Sequence, residues 1–475
     1  MWMLAQNVLA RGCGILSQLA LAALLRPEDF GLIGITYSIT TVIAAVINVG
    51  IDDVILQRRQ ALRLWSEPAF WISLIFGIAA SLLVLAISPL AALVYKSPEL
   101  SGLLAILALS MPIGAMSSVP AMIMRARMQF GVTAVYGTVE TLVTALMTVI
   151  LAWYNFGAYS FVIPAPIMAA VRVVVWWHFA HFKINFRPQP GRWKYVFKNT
   201  TAVFLTRSLI TVMNQGDYLI LGLLASKASV GIYYFGFRLA AQPVWALAGN
   251  LSSVLFPALV QLKNQPERQA WAAVQASTLL SFCVMPLAFI QAAVAEPLIT
   301  SFFGNRWVLS IPIIQLLSIG LALDAISWIA GSFLSARGEF VAGLCYVIVQ
   351  MPIFFVLVGI GAALDGSFGV ACTIFLFYAV TQPIYVHLVY RRVGVTARQV
   401  ALIYVRPIAY AAFAAGTGLT LSLLPGLAGR PLLRATVIAA AAAAVYAALV
   451  RVLSPDVWGE LQGRILGVSS RVEVT

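Results

Sequence analysis

The stretch TRSLITVMNQGDYLILGLLA, residues 206–225, decides how the chain is read. Crossing the hydrocarbon of a bilayer takes about 20 mostly apolar residues, and this stretch has that length and character while carrying Arg207 and Asp217. A charge at the middle of a membrane helix costs about 2.5–3.5 kcal/mol on insertion scales, so such charges face protein or water-filled space. Asp217 follows Arg207 by ten residues, about 15 Å of helix rise and about 80° of azimuth, so the two do not form a direct pair. Asn214 precedes Asp217 by three residues and shares its face, with Gln215 at the border. The helix therefore carries a polar stripe turned away from lipid.

Composition extends that reading to the whole chain. Of 475 residues, 61% are hydrophobic and 10% charged, with a mean hydropathy of +0.94. Soluble domains hold about 45–50% apolar and about 25% charged residues. The chain is a polytopic all-α membrane protein. Its net charge of +14 belongs to loops that face the cytoplasm, where Lys and Arg collect, and implies no nucleic-acid partner. Cys13, Cys283, Cys345 and Cys372 lie in apolar runs without CxxC spacing, and the three histidines are scattered. Neither a disulfide framework nor a metal centre is indicated. The N-terminal apolar run lacks a basic region ahead of it and a small-residue cleavage site, and reads as the first membrane helix.

Apolar runs of spanning length give fourteen helices, near 4–25, 31–53, 68–94, 101–123, 131–153, 157–179, 199–223, 230–256, 271–299, 307–333, 340–362, 367–389, 403–424 and 432–452. With the N-terminus inside, twenty loop Lys and Arg fall on the cytoplasmic side and six outside. That bias places both termini in the cytoplasm. Trp71, Trp176, Trp177, Trp193 and Trp307 lie near span ends and read as an interfacial belt, whereas Trp245 and Trp328 are deeper.

Sliding the chain on itself by 200 residues lays 24–40 on 224–240, with Gly31 on Gly231. At an offset of 210, RARMQF (125–130) falls on SARGEF (335–340), so Arg127 meets Arg337 and Phe130 meets Phe340. Six helices per half is an even number, so the halves are parallel repeats about an axis along the membrane normal. The expected organisation is a six-helix bundle over 1–180, a basic cytoplasmic linker over 181–198 and a second bundle over 199–390. Two additional helices over 391–453 and a tail over 454–475 complete it.

Several stretches resemble the polysaccharide exporters of the MOP flippase superfamily, nearest the Wzx-type lipopolysaccharide and exopolysaccharide flippases. They are LLRPEDFGLIGITYSITTVIAAVINVGIDDVILQRR (24–59), SEPAFW (66–71), SVPAMIMRARMQF (118–130), NQGDYLILGLLASKASVGIYYFGFRLA (214–240) and VLFPALVQL (254–262). The similarity runs over about residues 5–395; the SKASVG turn departs from the commoner pattern. The resemblance implies a V-shaped pair of six-helix bundles with two extra C-terminal helices. It implies transport of an undecaprenyl-pyrophosphate-linked oligosaccharide from the inner to the outer leaflet of a bacterial inner membrane, by alternating access driven by an ion gradient. A polysaccharide polymerase is the partner expected beside it.

A lipid-linked oligosaccharide presents a pyrophosphate, a polar glycan and a long apolar tail. Arginine suits the pyrophosphate, because its planar fork binds oxygens bidentately and keeps its charge. Arg207, Arg238 and Arg11 are the candidate cations, with Asn214, Gln215, Gln18 and Asn7 as partners for headgroup and sugar. Snorkelling to the interface is the rival account for Arg11, and for Arg172 it weighs as much as function. Asp217, Glu140 and Asp324 are the candidate cavity or coupling carboxylates, with Na+ or H+ as the coupling ion and no cofactor. A buried ion pair of Asp217 with Arg238 or Arg11 is the structural alternative. No GxxxxGK[ST] loop occurs, and the longest loop contains no acid, which disfavours a membrane glycosyltransferase or ligase. A peptidoglycan-precursor flippase and a multidrug antiporter of the same superfamily are the rival transport readings.

Overall fold

The computed structural model describes residues 12, 14, 16–47, 62–127, 129–181, 190–424 and 429–465. Among them the chain is helical, and the expected spans have their counterparts in chain order. These are α1 (16–24), α2 (Pro27–Ile47), α3 (Leu62–Val94), α4 (Glu99–Ala126), α5 (Phe130–Trp153) and α6 (Tyr159–Ala180). Next come α7 (Pro190–Leu224), α8 (Lys227–Gln261), α9 (Pro266–Phe303) and α10 (Ile311–Arg337). The run Phe340–Tyr390 breaks at Asp365 (φ −150°) and Gly366 (φ 51°) into two arms, α11 (340–364) and α12 (367–390). Two further spans, α13 (Ala397–Leu421) and α14 (Pro431–Leu453), precede a short α15 (Pro455–Ile465). Proline at the first helical position opens α7 inside the segment that reads as a linker. Among the described residues, nine helical runs are long and apolar enough to cross a membrane, and two of them, Pro266–Arg337 and Phe340–Val393, each hold two spans. Large side chains such as Leu82, Leu93, Val254 and Val349 stand exposed along these helices, as a lipid-facing surface requires and a water-facing one does not tolerate.

The chain forms two compact units, 1–234 and 235–475. In the first, α2 and the start of α8 meet backbone to backbone. A Cβ on Gly31 would lie 2.0 Å from the Lys227 carbonyl oxygen, and one on Gly231 would lie 1.7 Å from that of Pro27. Only glycine allows such an approach. The two positions are those that the 200-residue offset superposes, so the repeat is a physical contact between equivalent points. Each helix start is capped by its own turn: Asp29 accepts the Arg26 N–H at 3.0 Å, and Ser226 accepts the Ser229 N–H at 3.2 Å. Tyr234 packs into the space left at Gly34, and Lys227 lies 3.5 Å from Glu99.

The 210-residue offset is also visible in each unit. In the first, Arg127 donates from Nη1 to the Ala180 carbonyl at 3.1 Å, tying the α4–α5 turn to the end of α6. In the second, Glu339 takes a bond from Arg337 at 2.7 Å and one from Arg392 at 2.6 Å, tying the α10–α11 turn to the end of α12. Burial alone would raise the pKa of Glu339, but the two guanidiniums hold it below the ordinary glutamate value. The core of the second unit includes Trp307, fully buried with its ring 4.2 Å from that of Phe235. The belt reading is therefore wrong for Trp307, and for Trp176, which is buried against Tyr136. Proximity to a span end does not fix the azimuth, and both rings are turned inward. The C-terminal pair is joined to α9 by the Tyr446 hydroxyl, which donates to the Phe282 carbonyl at 2.9 Å.

Candidate transport site

Asp217 lies on the buried face of α7, 2% exposed. Its carboxylate accepts the Tyr233 hydroxyl at 2.7 Å and the Tyr218 N–H at 2.9 Å, with the rings of Tyr218, Tyr233 and Tyr234 packed around it. The expected alternatives placed a cation here; a neutral phenol from α8 supplies the hydrogen bond instead. Gln215 is half-buried and accepts the Ser38 hydroxyl from α2 at 2.9 Å. Two turns further in each direction, Ser208 donates to the Ala45 carbonyl at 2.9 Å and Gly222 packs against Ile35. The stripe on α7 is thus shared: Asp217, Gln215 and Ser208 are bonded within the first unit, whereas Asn214 and Arg207 are exposed. Arg207 and Asp217 differ in burial as their azimuths require, and do not pair. Arg238 is exposed on α8, in the second unit. Gln18 on α1 is buried, and its side-chain nitrogen has no hydrogen-bond partner. Asn7 and Arg11 lie outside the described residues.

Glu140 and Arg172 come together. Nε and Nη2 of Arg172 both donate to one carboxylate oxygen of Glu140, joining α5 to α6. The side chains are 40% and 20% exposed for Arg172 and Glu140. The Tyr136 hydroxyl lies beside both groups. Thr141 bonds the carbonyl of Gly137 within its own helix and offers no ligand there. Asp324, half-buried on α10, accepts the Trp328 indole N–H at 3.0 Å and sits 3.5 Å from the Ser327 hydroxyl. Trp328 thus serves Asp324 through its nitrogen, a role its depth alone did not indicate.

These pairings had a signal in the sequence that charge counting misses. In an antiparallel hairpin, residues equidistant from the turn lie at equal depth. Glu140 and Arg172 are equidistant from Phe156, within the turn between Tyr154 and Ala158; Asp217 and Tyr233 are equidistant from Ala225, in the turn between α7 and α8. Folding each hairpin on its turn finds both partners.

The same arithmetic joins the halves. At the 210-residue offset, Tyr136, Glu140 and Arg172 fall on Tyr346, Gln350 and Gln382. There Gln350 donates to the Tyr346 hydroxyl at 2.6 Å, and that hydroxyl donates to the Thr381 carbonyl at 2.9 Å. Both glutamines are buried, at 6% and 4% exposure. An ion pair in the first half thus corresponds to two amides in the second.

A family model described as a polysaccharide biosynthesis protein matches residues 20–312. The succinoglycan biosynthesis transport protein ExoT of Rhizobium meliloti (strain 1021) is 24% identical over 309 residues, covering 63% of this chain and 60% of that protein. The lipopolysaccharide biosynthesis protein WzxC of Escherichia coli (strain K12) is 21% identical over 401 residues, 81% of this chain and 80% of its own. Among solved structures, the lipid II flippase MurJ in an inward closed conformation matches with a TM-score of 0.70 at 14% identity, over 95% of this chain and 99% of that one. An inward-facing multidrug resistance MATE family transporter of the MOP superfamily matches with a TM-score of 0.60 at 16% identity, over 82% and 94%. At those identities the structural likeness establishes the fold, and a multi-pass membrane architecture with it.

Proposed function

The chain belongs to the polysaccharide biosynthesis protein family, and from that premise we propose that it flips an undecaprenyl-pyrophosphate-linked oligosaccharide from the inner to the outer leaflet of a bacterial inner membrane. The product serves export of lipopolysaccharide O-antigen or exopolysaccharide, beside a polymerase that takes up the delivered repeat units. One observation carries the reading: the family match over 20–312 spans the helices that hold Arg172, Arg207, Asp217 and Arg238. Intramembrane charges of that density mark a substrate or ion path.

Arg207 and Arg238 are the cations for the pyrophosphate, and Asn214 is an exposed hydrogen-bonding group on the helix that carries Arg207. Gln18 on α1 belongs to the same set, and Arg11 and Asn7 join it on their sequence positions alone. Coupling falls to Asp217 and Asp324, whose hydrogen-bond partners are neutral and which take up H+ or Na+ without first shedding a cation. The bias of Lys and Arg in the loops supports cytoplasmic termini.

The test uses a strain lacking the gene, in which the leaflet occupied by its lipid-linked oligosaccharide is followed. Wild-type protein restores delivery to the outer leaflet, while Arg207→Ala, Arg238→Ala and Asp217→Asn, returned at equal abundance, leave the lipid inside. If all variants deliver as well as wild type, the residue assignment falls. If nothing is stranded when the gene is absent, the substrate class is wrong, and a lipid-precursor or drug transporter replaces it.

A further inference from the structure

We propose that Arg172 is an anion-binding residue for the phosphate of the transported lipid, and that Glu140 is the ligand it holds while that phosphate is absent. The proposal deepens the flippase reading and rests on it for the substrate class.

Three observations support it. The first is azimuth. On α6 the exposed stripe runs through Ile167, Val171, Val174 and His178. Arg172 lies about 120° round from that stripe, flanked by the buried Met168, Ala169 and Trp176 and by the exposed Phe179. A guanidinium snorkelling to lipid would sit on the exposed stripe. Arg172 instead turns toward Glu140 on α5 and keeps 40% of its side-chain surface accessible, so a ligand can reach it.

The second is the internal control. At the equivalent α11–α12 positions, Gln350 and Gln382 are more deeply buried than their charged counterparts. Packing of this hairpin does not require an ion pair. Charges kept within a span cost free energy, and the second half is built without them.

The third is a second donor. When Arg172 turns to a phosphate, the Glu140 carboxylate loses its charge-assisted bonds. The Tyr136 hydroxyl, beside both groups, is placed to donate to it. The equivalent Tyr346 hydroxyl has its donor and acceptor capacity in use. The first-half triad has the means to exchange partners, and the second-half triad is closed. Glu140 and Arg172 compete for one another with any phosphate that enters: bidentate guanidinium–phosphate geometry replaces the guanidinium–carboxylate bonds. Tyr136 and Arg172 are the titratable or charged groups that face Glu140 among the described residues.

The test measures binding of undecaprenyl pyrophosphate to the purified full chain in detergent, with undecaprenol as the uncharged control and inorganic pyrophosphate as competitor. Arg172→Gln weakens binding about ten-fold or more, the size of a lost charge-assisted hydrogen bond. Glu140→Gln frees Arg172 from its placeholder and tightens binding several-fold. The double variant copies the second half, so it folds to the same yield and thermal midpoint as wild type while binding as weakly as Arg172→Gln. Opposite signs for the two single variants support the proposal, because a purely structural pair moves both the same way. Equal weakening by both, or wild-type binding in the double variant, overturns it. So does equal binding of undecaprenol and undecaprenyl pyrophosphate. If inorganic pyrophosphate competes in wild type and fails to do so in Arg172→Gln, the phosphate alone is read; if it never competes, the headgroup is read on its lipid. Both keep the assignment of Arg172. Failure here leaves the flippase reading standing, since that reading is judged by leaflet delivery in the deletion strain.

Discussion

Tyr136, Glu140 and Arg172 in the α5–α6 hairpin stand where Tyr346, Gln350 and Gln382 stand in α11–α12. The first set is charged and partly accessible; the second is neutral, with both glutamines buried and Gln350 bonded to the Tyr346 hydroxyl. Both join an antiparallel pair of helices at the same depth. The difference separates what the hairpin needs from what the site adds. Amides suffice for packing, and a buried ion pair is weak grounds for stability, because desolvation offsets much of its Coulomb attraction.

Charging the second half is the harshest way to break that comparison. Gln350→Glu buries an acid with no cation beside it, and unfolding in mixed micelles should show a loss of about 3–5 kcal/mol. Adding Gln382→Arg should recover part of it, with a coupling of about 0.5–3 kcal/mol in the double-mutant cycle. No recovery would mean that the two hairpins differ in more than these side chains. Next in size, Arg172→Ala leaves Glu140 without its partner and should cost about 1–3 kcal/mol, the range for a buried group left unsatisfied. Replacing both members by glutamine should cost less than that. A double variant worse than the single one would make the ion pair a structural necessity.

The tyrosines sharpen the contrast further. Tyr346→Phe removes the acceptor of Gln350 and should cost about 1 kcal/mol, while Tyr136→Phe, which leaves the Arg172–Glu140 pair in place, should leave stability within about 0.5 kcal/mol. A comparably small effect is expected at the α10–α11 turn. Glu339 is an outer carboxylate held by Arg337 and Arg392 below its ordinary pKa, so its contribution is present above the unfolded-state value. That contribution is lost as pH falls through the lowered folded-state one. Glu339→Gln should therefore reduce stability by about 0–1 kcal/mol at neutral pH, and the difference from wild type should vanish in acid.

The spans, their order and the two-fold internal repeat were legible because each rests on local pattern. Twenty apolar residues mark a span wherever they occur, and Gly31 on Gly231 needs only a shifted alignment. What escaped depends on azimuth and on turns. Arg172 stayed undecided between snorkelling and function because depth was counted and face was not; Trp307 read as interfacial for the same reason. Asp217 was matched to distant arginines by charge, whereas its partner Tyr233 lay opposite it across the turn at Ala225. Polarity without charge carries little weight in a hydropathy scan, so a phenol that satisfies a buried acid goes unnoticed.

The crossing at Gly31 and Gly231 has a consequence of inheritance. Each glycine meets the backbone at the start of the other's helix, which is the self-complementary contact that a symmetric dimer makes. In a dimer of half-length chains, one glycine codon would satisfy both sides together. Fusing the halves into one chain turns that single requirement into two, since a side chain at either position is enough to push the backbones apart. Glu140 and Gln350, at equivalent positions elsewhere in the chain, have diverged. The glycine pair has not, because neither copy can change without the other's backbone having to move.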